Sequence, residues 1–219
     1  MKHMTIRLAT IVLMLTTLIP TKAQQTQWLY DGLFYHINDD GTCSVVSTLK
    51  TGEIVIPQVA VIEGKNYIVT AILEGAFQSK DKITSIDLPN SVTSIGEYAF
   101  AGCTGLTAVK LPDALDEIST GSFSLCTTLT SLAFPKTLKS IGSEAFYNCT
   151  GLISLHLPNS LTTIGDHAFF NCSNLAVIAI PNTLESIGNE AFLNCSKLTS
   201  IYLPGTITHI GTGAFSNFR

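Results

Sequence analysis

Charge is scarce in this chain: only 13% of its 219 residues are Asp, Glu, Lys or Arg, against 46% hydrophobic residues. That balance excludes a disordered polyelectrolyte, which could not bury enough apolar surface to offset the entropy of ordering. Basic residues are the scarcer sign, twelve against sixteen acidic ones, so the electrostatic footprint of a nucleic-acid or anionic-lipid binder is missing. No nucleic acid is expected as a partner. There is no Gly-rich phosphate loop and no clustered His/Glu motif, which leaves nucleotide and metal-hydrolase chemistry without their usual carriers. Long apolar runs are absent too. The longest, Leu8 to Ile19, has twelve residues, where a membrane-spanning helix needs about 20.

That short run reads instead as an export signal. Lys2 and Arg7 precede it, and Pro20-Thr21-Lys22-Ala23 follows, with small residues at the −3 and −1 positions (Thr21 and Ala23). Residues 1–23 are therefore read as a secretory signal peptide cut after Ala23. Its removal takes Lys2, Arg7 and Lys22 with it and moves the formal charge from −4 to −7. No transmembrane segment is expected after that cut, and no cysteine follows it that could carry a lipid. Leu203-Pro204-Gly205-Thr206 approaches a cell-wall sorting signal but reads as an ordinary turn.

What the chain does have is period. Phenylalanine stands at 77, 100, 123, 146, 169, 192 and 215, a constant step of 23. A fixed period of this length marks a solenoid of supersecondary units, each stacked on its neighbours. Pro89, Pro112, Pro135, Pro158, Pro181 and Pro204 keep the same step. So do Ile83, Leu106, Leu129, Leu152, Leu175 and Leu198, followed at +3 and +5 by further apolar residues such as Ile86 and Leu88. The resulting L-x-x-L-x-L phrase is the leucine-rich repeat signature, one short strand per coil. Proline, which cannot donate to the next ladder bond, ends the strand. A second apolar stretch (Val92 to Ile95 in the first full copy) closes on Gly96, Gly142, Gly165, Gly188 or Gly211, with Ser119 as the exception. Glycine there supplies either a positive φ or close approach between coils. The Ala-Phe pair follows, its ring filling the gap between coils. Three residues later comes Cys103, Cys126, Cys149, Cys172 or Cys195. Stacked strands would set these cysteines about 4.8 Å apart, within disulfide reach, yet pointing alike into the core. They are read as buried free thiols, with no metal, because a one-dimensional column cannot surround an ion.

The first repeat is preceded by a segment out of period. Residues 24–72 are read as an N-terminal cap: a β-hairpin with strands Leu33–Ile37 and Cys43–Ser47, a first strand-and-proline unit at Ile54-Val55-Ile56-Pro57, a turn over Glu63 to Tyr67, and a strand from Ile68 to Ile72. Lys80 stands where later coils carry cysteine, in keeping with a polar end. Residues 73–219 hold about six repeats, the last incomplete, and no cap is evident beyond Phe215. That open end is a candidate for self-association or for continuation in a longer protein.

The phrase LP-x-x-L-x-x-IG-x-x-AF-x-x-C, as in Leu157 to Cys172, and the entry Tyr67-Ile68-Val69-Thr70-Ala71-Ile72 resemble the BspA-like bacterial surface proteins with treponemal-type leucine-rich repeats. The likeness runs from about residue 28 to 219. It implies parallel strands stacked into a curved, β-rich, right-handed superhelix. It also implies a secreted or cell-surface location and a role in adhesion to matrix proteins or other cells. The residues themselves, with no clustered His/Glu motif and no phosphate loop, lead to the expectation of no enzymatic activity and no cofactor.

Alternation turns two rows of strand residues outward, onto the inner face of such a superhelix. One is Asp87, Lys110, Ala133, His156, Ala179, Tyr202; the other is Ser85, Ala108, Ser131, Ser154, Val177, Ser200. Asp87, Lys110, His156 and Tyr202, with the serines Ser85, Ser131, Ser154 and Ser200, are the candidate ligand-binding residues, and an extracellular protein or glycan is the expected partner. Catalytic residues are not expected: Asp87 and His156 share a row three coils apart, roughly 14 Å, and Asp166-His167 read as a solvated turn. Asn148-Cys149-Thr150, Asn171-Cys172-Ser173 and Asn194-Cys195-Ser196 match glycosylation sequons as a by-product of the repeat.

Overall fold

The computed structural model describes residues 27–217; the expected signal over 1–23 lies outside them. Sixteen short strands and no helix make up the described residues. The cap begins with an antiparallel meander of β1 (Gln27–Tyr30), β2 (Leu33–Ile37) and β3 (Cys43–Thr48). Its first turn, Asp31-Gly32, puts two successive residues at positive φ (46° and 72°), the geometry of a two-residue hairpin turn. The β2–β3 hairpin stands where the sequence placed it, whereas β1 was not foreseen. β4 (Gly52–Val55) then leaves the cap to join the repeat sheet, and β5 (Val59–Ile62) and β6 (Lys65–Ile72) form a second hairpin. The turn expected over 63–67 is narrower. Glu63 and Gly64 alone take positive φ (50° and 77°), so the second strand starts at Lys65. β6 pairs in parallel with β3 and with the first coil, so the cap and the solenoid share one core.

Each 23-residue coil has three sides. The first carries the L-x-x-L-x-L strands: β4, β7 (Ile83–Asp87) and β9 (Ala108–Lys110) form one parallel sheet, β12 (Ser154–His156) and β14 (Val177–Ala179) another. One strand per coil was expected, yet residues 131–133 contribute only an isolated bridge, Ala133 to His156, and residues 200–202 no strand. The first of these coils carries Phe134 where others have Leu or Ile. Its ring stands edge-on to Phe146 at 5.9 Å.

The second side is the apolar stretch that ends in glycine. It forms two-residue strands, β8 (Ser94–Ile95), β10 (Glu117–Ile118), β11 (Ser140–Ile141), β13 (Thr163–Ile164), β15 (Ser186–Ile187) and β16 (His209–Ile210). β10, β11, β13, β15 and β16 run as one continuous parallel sheet. Of the two roles open to the glycines, the structure selects close approach. None of Gly96, Gly142, Gly165, Gly188 and Gly211 has positive φ. A Cβ on Gly165 would lie 2.6 Å from the Ser143 amide nitrogen, and one on Gly142 2.8 Å from that of Thr120. At the one coil that carries Ser119 instead, the ladder is absent. Gly142, Gly165, Gly188 and Gly211 donate their amides to the isoleucine carbonyl of the coil before at 2.7–2.8 Å. Ser119 donates its hydroxyl to Ile95 O at 2.6 Å instead, and among the described residues no backbone bond joins β8 to β10.

The third side is the Ala-Phe turn. Each of the seven periodic phenylalanines, Phe77 to Phe215 in steps of 23, is flanked at −2 and +2 by a left-handed residue, for example Glu144 (φ 57°) and Asn148 (φ 56°) around Phe146. Those reversals let the Phe146 amide donate to Ala168 O of the next coil at 2.8 Å, a third ladder repeated in all coils. The rings stack with centroids 5.1–5.5 Å apart and planes within 13°. The cysteines are free and buried, as read from sequence. Each thiol of the column donates to a phenylalanine carbonyl one coil back, Cys149 Sγ to Phe123 O at 3.0 Å.

Candidate functional site

The open face of the first sheet collects the outward residues named above. Strand pairing sets Ser85 beside Ala108 and Asp87 beside Lys110. The last two form an ion pair, Lys110 Nζ to Asp87 Oδ1 at 2.9 Å, exposed on both sides. Such a pair contributes about 0–1 kcal/mol, and it leaves each charge partly committed to the other. At this end the face is therefore neutralised by its own residues. Ser131 and Ser200 are exposed, Ser85 and Ser154 half-buried, and none of the four has a side-chain hydrogen bond among the described residues.

Toward the last coils the character changes. Ser154 pairs with Val177 and His156 with Ala179. Ile153 is 54% exposed, Val177 57% and Tyr202 79%. Val177, Ala179, the exposed His156 and Tyr202 lie on the two outward rows, about one strand spacing from coil to coil, and Ile153 is exposed just before β12, so the surface here is apolar with one imidazole and one phenol. Tyr202 and His156 were expected here. Val177 stands in the outward row as expected, though it was not among the candidate ligand-binding residues. Ile153 was not singled out, because an aliphatic residue beside the L-x-x-L-x-L phrase reads as core; the signal that could have found it is register, since it falls between the buried positions Leu152 and Leu155.

Asp87 and His156 stand three coils apart and do not meet. His167 Nε2 lies 3.2 Å from Glu190 Oε2 across one coil boundary, on two left-handed turn positions with no nucleophile beside them. Burial pushes the column thiols up, Cys103 to about 11 and Cys195 to about 12, so they stay protonated and poorly nucleophilic. Among the described residues no three His, Cys, Asp or Glu side chains could hold a metal ion together. The sequon asparagines are tied into the stack: Asn171 Nδ2 donates to Asn148 Oδ1 at 2.7 Å, and Asn217 Nδ2 to Asn194 Oδ1 at 2.7 Å.

Residues 70–134 and 116–219 match the family model of the BspA type leucine rich repeat region, in six copies. Among solved structures, the T. pallidum leucine rich repeat protein is similar over 85% of this chain and 86% of its own, with 32% identity and a TM-score of 0.78. A leucine rich cell surface protein of Faecalibacterium prausnitzii matches over 87% of this chain and 52% of its own, at 28% identity and a TM-score of 0.75. A leucine-rich repeat protein of Bacteroides ovatus aligns over 84% and 61%, at 28% identity and a TM-score of 0.55. No curated relative matches.

Proposed function

This chain belongs to the BspA-type leucine-rich repeat family, and from that premise we propose that it is an exported, non-enzymatic binding module holding an extracellular protein or glycan on the open face of its first sheet. The observation that carries the reading is the band of Ile153, His156, Val177, Ala179 and Tyr202 on a face otherwise small and polar. A large phenol and two branched aliphatics left in water cost hydration free energy that a partner recovers on docking, and tyrosine is a favoured anchor at such contacts. Export is supported by the layout of residues 1–23 and by the likeness to the F. prausnitzii leucine rich cell surface protein. No helix among the described residues is long and apolar enough to cross a membrane.

A binding screen against extracellular matrix proteins and glycans tests the reading. Tyr202→Ala and Val177→Ser should each weaken a captured ligand by tenfold or more, about 1.4 kcal/mol, while Lys110→Ala should change it little. Absence of any ligand, or indifference to Tyr202 and Val177, refutes the proposal.

One observation favours a second reading, association through the last coil. Ile187 is fully buried, whereas its counterpart Ile210, on edge strand β16, is 45% exposed. An exposed apolar edge invites a second chain. Light scattering at rising concentration decides it: Ile210→Lys should abolish any oligomer, and a monomer at all concentrations sinks the idea.

A further inference from the structure

The junction of cap and solenoid holds a cleft that the repeat does not explain. It has a volume of about 310 Å³ and is bounded by the β3–β4 connection (Thr48 to Thr51) and the turn before β7 (Ser79 to Ile83). It opens because β4 joins the sheet irregularly. Gly52 pairs with Ile83 but Glu53 with Ser85, a bulge at the first residue, and Gly52 itself takes φ +72°. Elsewhere turn packs directly on turn, so closely that a Cβ on Gly151 would lie 3.0 Å from Leu129 O.

Three lysines line this cleft, Lys50, Lys80 and Lys82, against one carboxylate, Asp81. The chain has only twelve basic residues and a formal charge of −4, so this is a local inversion of its overall sign. Lys50 is held by Asp31 at 2.6 Å. Lys80 and Lys82 have no ion-pair partner among the described residues. Lys80 occupies the cysteine position of the repeat, so its departure from the pattern sets an ammonium where other coils have a thiol. The lining adds hydroxyls from Thr51 and Ser79, and Leu49 stands on the rim 66% exposed. No aromatic ring lines it, so there is no flat platform for a sugar.

We propose that this cleft binds the carboxylate of an acidic peptide segment, with Lys80 and Lys82 as the charged donors, the Ser79 and Thr51 hydroxyls as neutral ones, and Leu49 receiving an apolar neighbour of the acidic residue. Charge-assisted hydrogen bonds to a carboxylate in a partly enclosed site are the strong kind. The volume admits one side chain, and the adjoining strand β4 gives the peptide a direction to follow.

The test uses residues 24–219 and a fluorescein-labelled dodecapeptide of alternating Glu and Leu-Gly units, read by fluorescence polarisation. A basic peptide of equal length and a sulfated heparin oligosaccharide run alongside. Lys80→Gln with Lys82→Gln should weaken the acidic peptide about tenfold, while Lys136→Gln with Lys197→Gln, which removes equal charge elsewhere, should leave affinity unchanged. Leu49→Ser should lower it less than the lysine pair does. Circular dichroism on each variant confirms that the fold is kept. No binding of the peptide at millimolar concentration, equal losses from both lysine pairs, or preference for the heparin oligosaccharide each overturns the proposal.

Discussion

Replacing Gly165 by alanine isolates what the glycine that ends a second-side strand does for the stack. Its φ is not positive, so alanine meets no torsional penalty there; the cost is contact. The new Cβ would meet Ser143 N at 2.6 Å, Gly142 C at 2.8 Å and Ser143 Cα at 3.0 Å, all backbone atoms of the coil before. The coils must separate at that side, and the bonds lost are Thr162 to Lys139 O at 2.9 Å and Gly165 to Ile141 O at 2.8 Å. At about 1 kcal/mol net for each bond, with about 1 kcal/mol more for a carbonyl left unpaired, the loss is about 3 kcal/mol. Alanine restricts the unfolded chain and returns about 0.4–1 kcal/mol. The expected result is a destabilisation of about 2–3 kcal/mol in urea unfolding, with faster hydrogen exchange at the amides of 162 and 165. Gly165→Ser should cost about 1 kcal/mol less, because Ser119 shows how a hydroxyl at this place reaches the carbonyl in place of the amide. An alanine variant as stable as the parent, or a serine variant no better than alanine, refutes the reasoning. Ser119→Gly is the reciprocal: its amide should gain exchange protection as β8 and β10 join.

Phe146→Ala should destabilise by about 3–5 kcal/mol on thermal unfolding, since the ring is fully buried between Phe123 and Phe169; Phe215→Ala, only partly buried, should cost less. The thiols give a pH signature. Their folded values lie above the unfolded one, to about 11 for Cys103 and about 12 for Cys195. The unfolded chain therefore loses protons first, and stability, intact below pH 8, should fall as pH rises from about 9 toward 11, by up to about 1.4 kcal/mol per unit for each such thiol. Ellman's reagent should accordingly leave these cysteines unmodified in the native protein and react fully in urea. Lys110→Ala should change stability by less than about 1 kcal/mol in urea unfolding, because its partnership with Asp87 is exposed.

The fold was legible where a residue's role depends on its place in the period. Phe77 to Phe215, the column of cysteines and the L-x-x-L-x-L strands follow from spacing alone, because translation along an axis gives equivalent residues equivalent surroundings. Legibility failed where the structure depends on a single coil differing. Ser119 is visible as an exception in the sequence, but the missing ladder beside it depends on how closely two backbones approach. The coil with Phe134 loses its strand for reasons equally local. In the cap, β1 has no periodic partner to announce it. On the open face, Asp87 and Lys110 are neighbours in one row, yet that they spend their charges on each other depends on side-chain reach. Val177 was read as outward by alternation, whereas Ile153, just before β12, lies outside both rows and its exposure depends on register.

The irregular coil has a mechanical consequence. Residues 106–128 keep the Ala-Phe ladder on both sides. Toward the preceding coil they lack the β8–β10 ladder, and toward the following one β9 has no strand to pair with. All three ladders run along the solenoid axis, so tension applied to the two ends loads them in parallel, and the seam with fewest strands in tension yields first. A molecule tethered at one end and holding a partner at the other would therefore part first at one of the seams that lack a ladder, beside this coil or at the strandless residues 131–133 and 200–202. The array behaves as stiff blocks joined by fuses, and a force–extension trace should show early, low-force steps before the fully laddered coils give way.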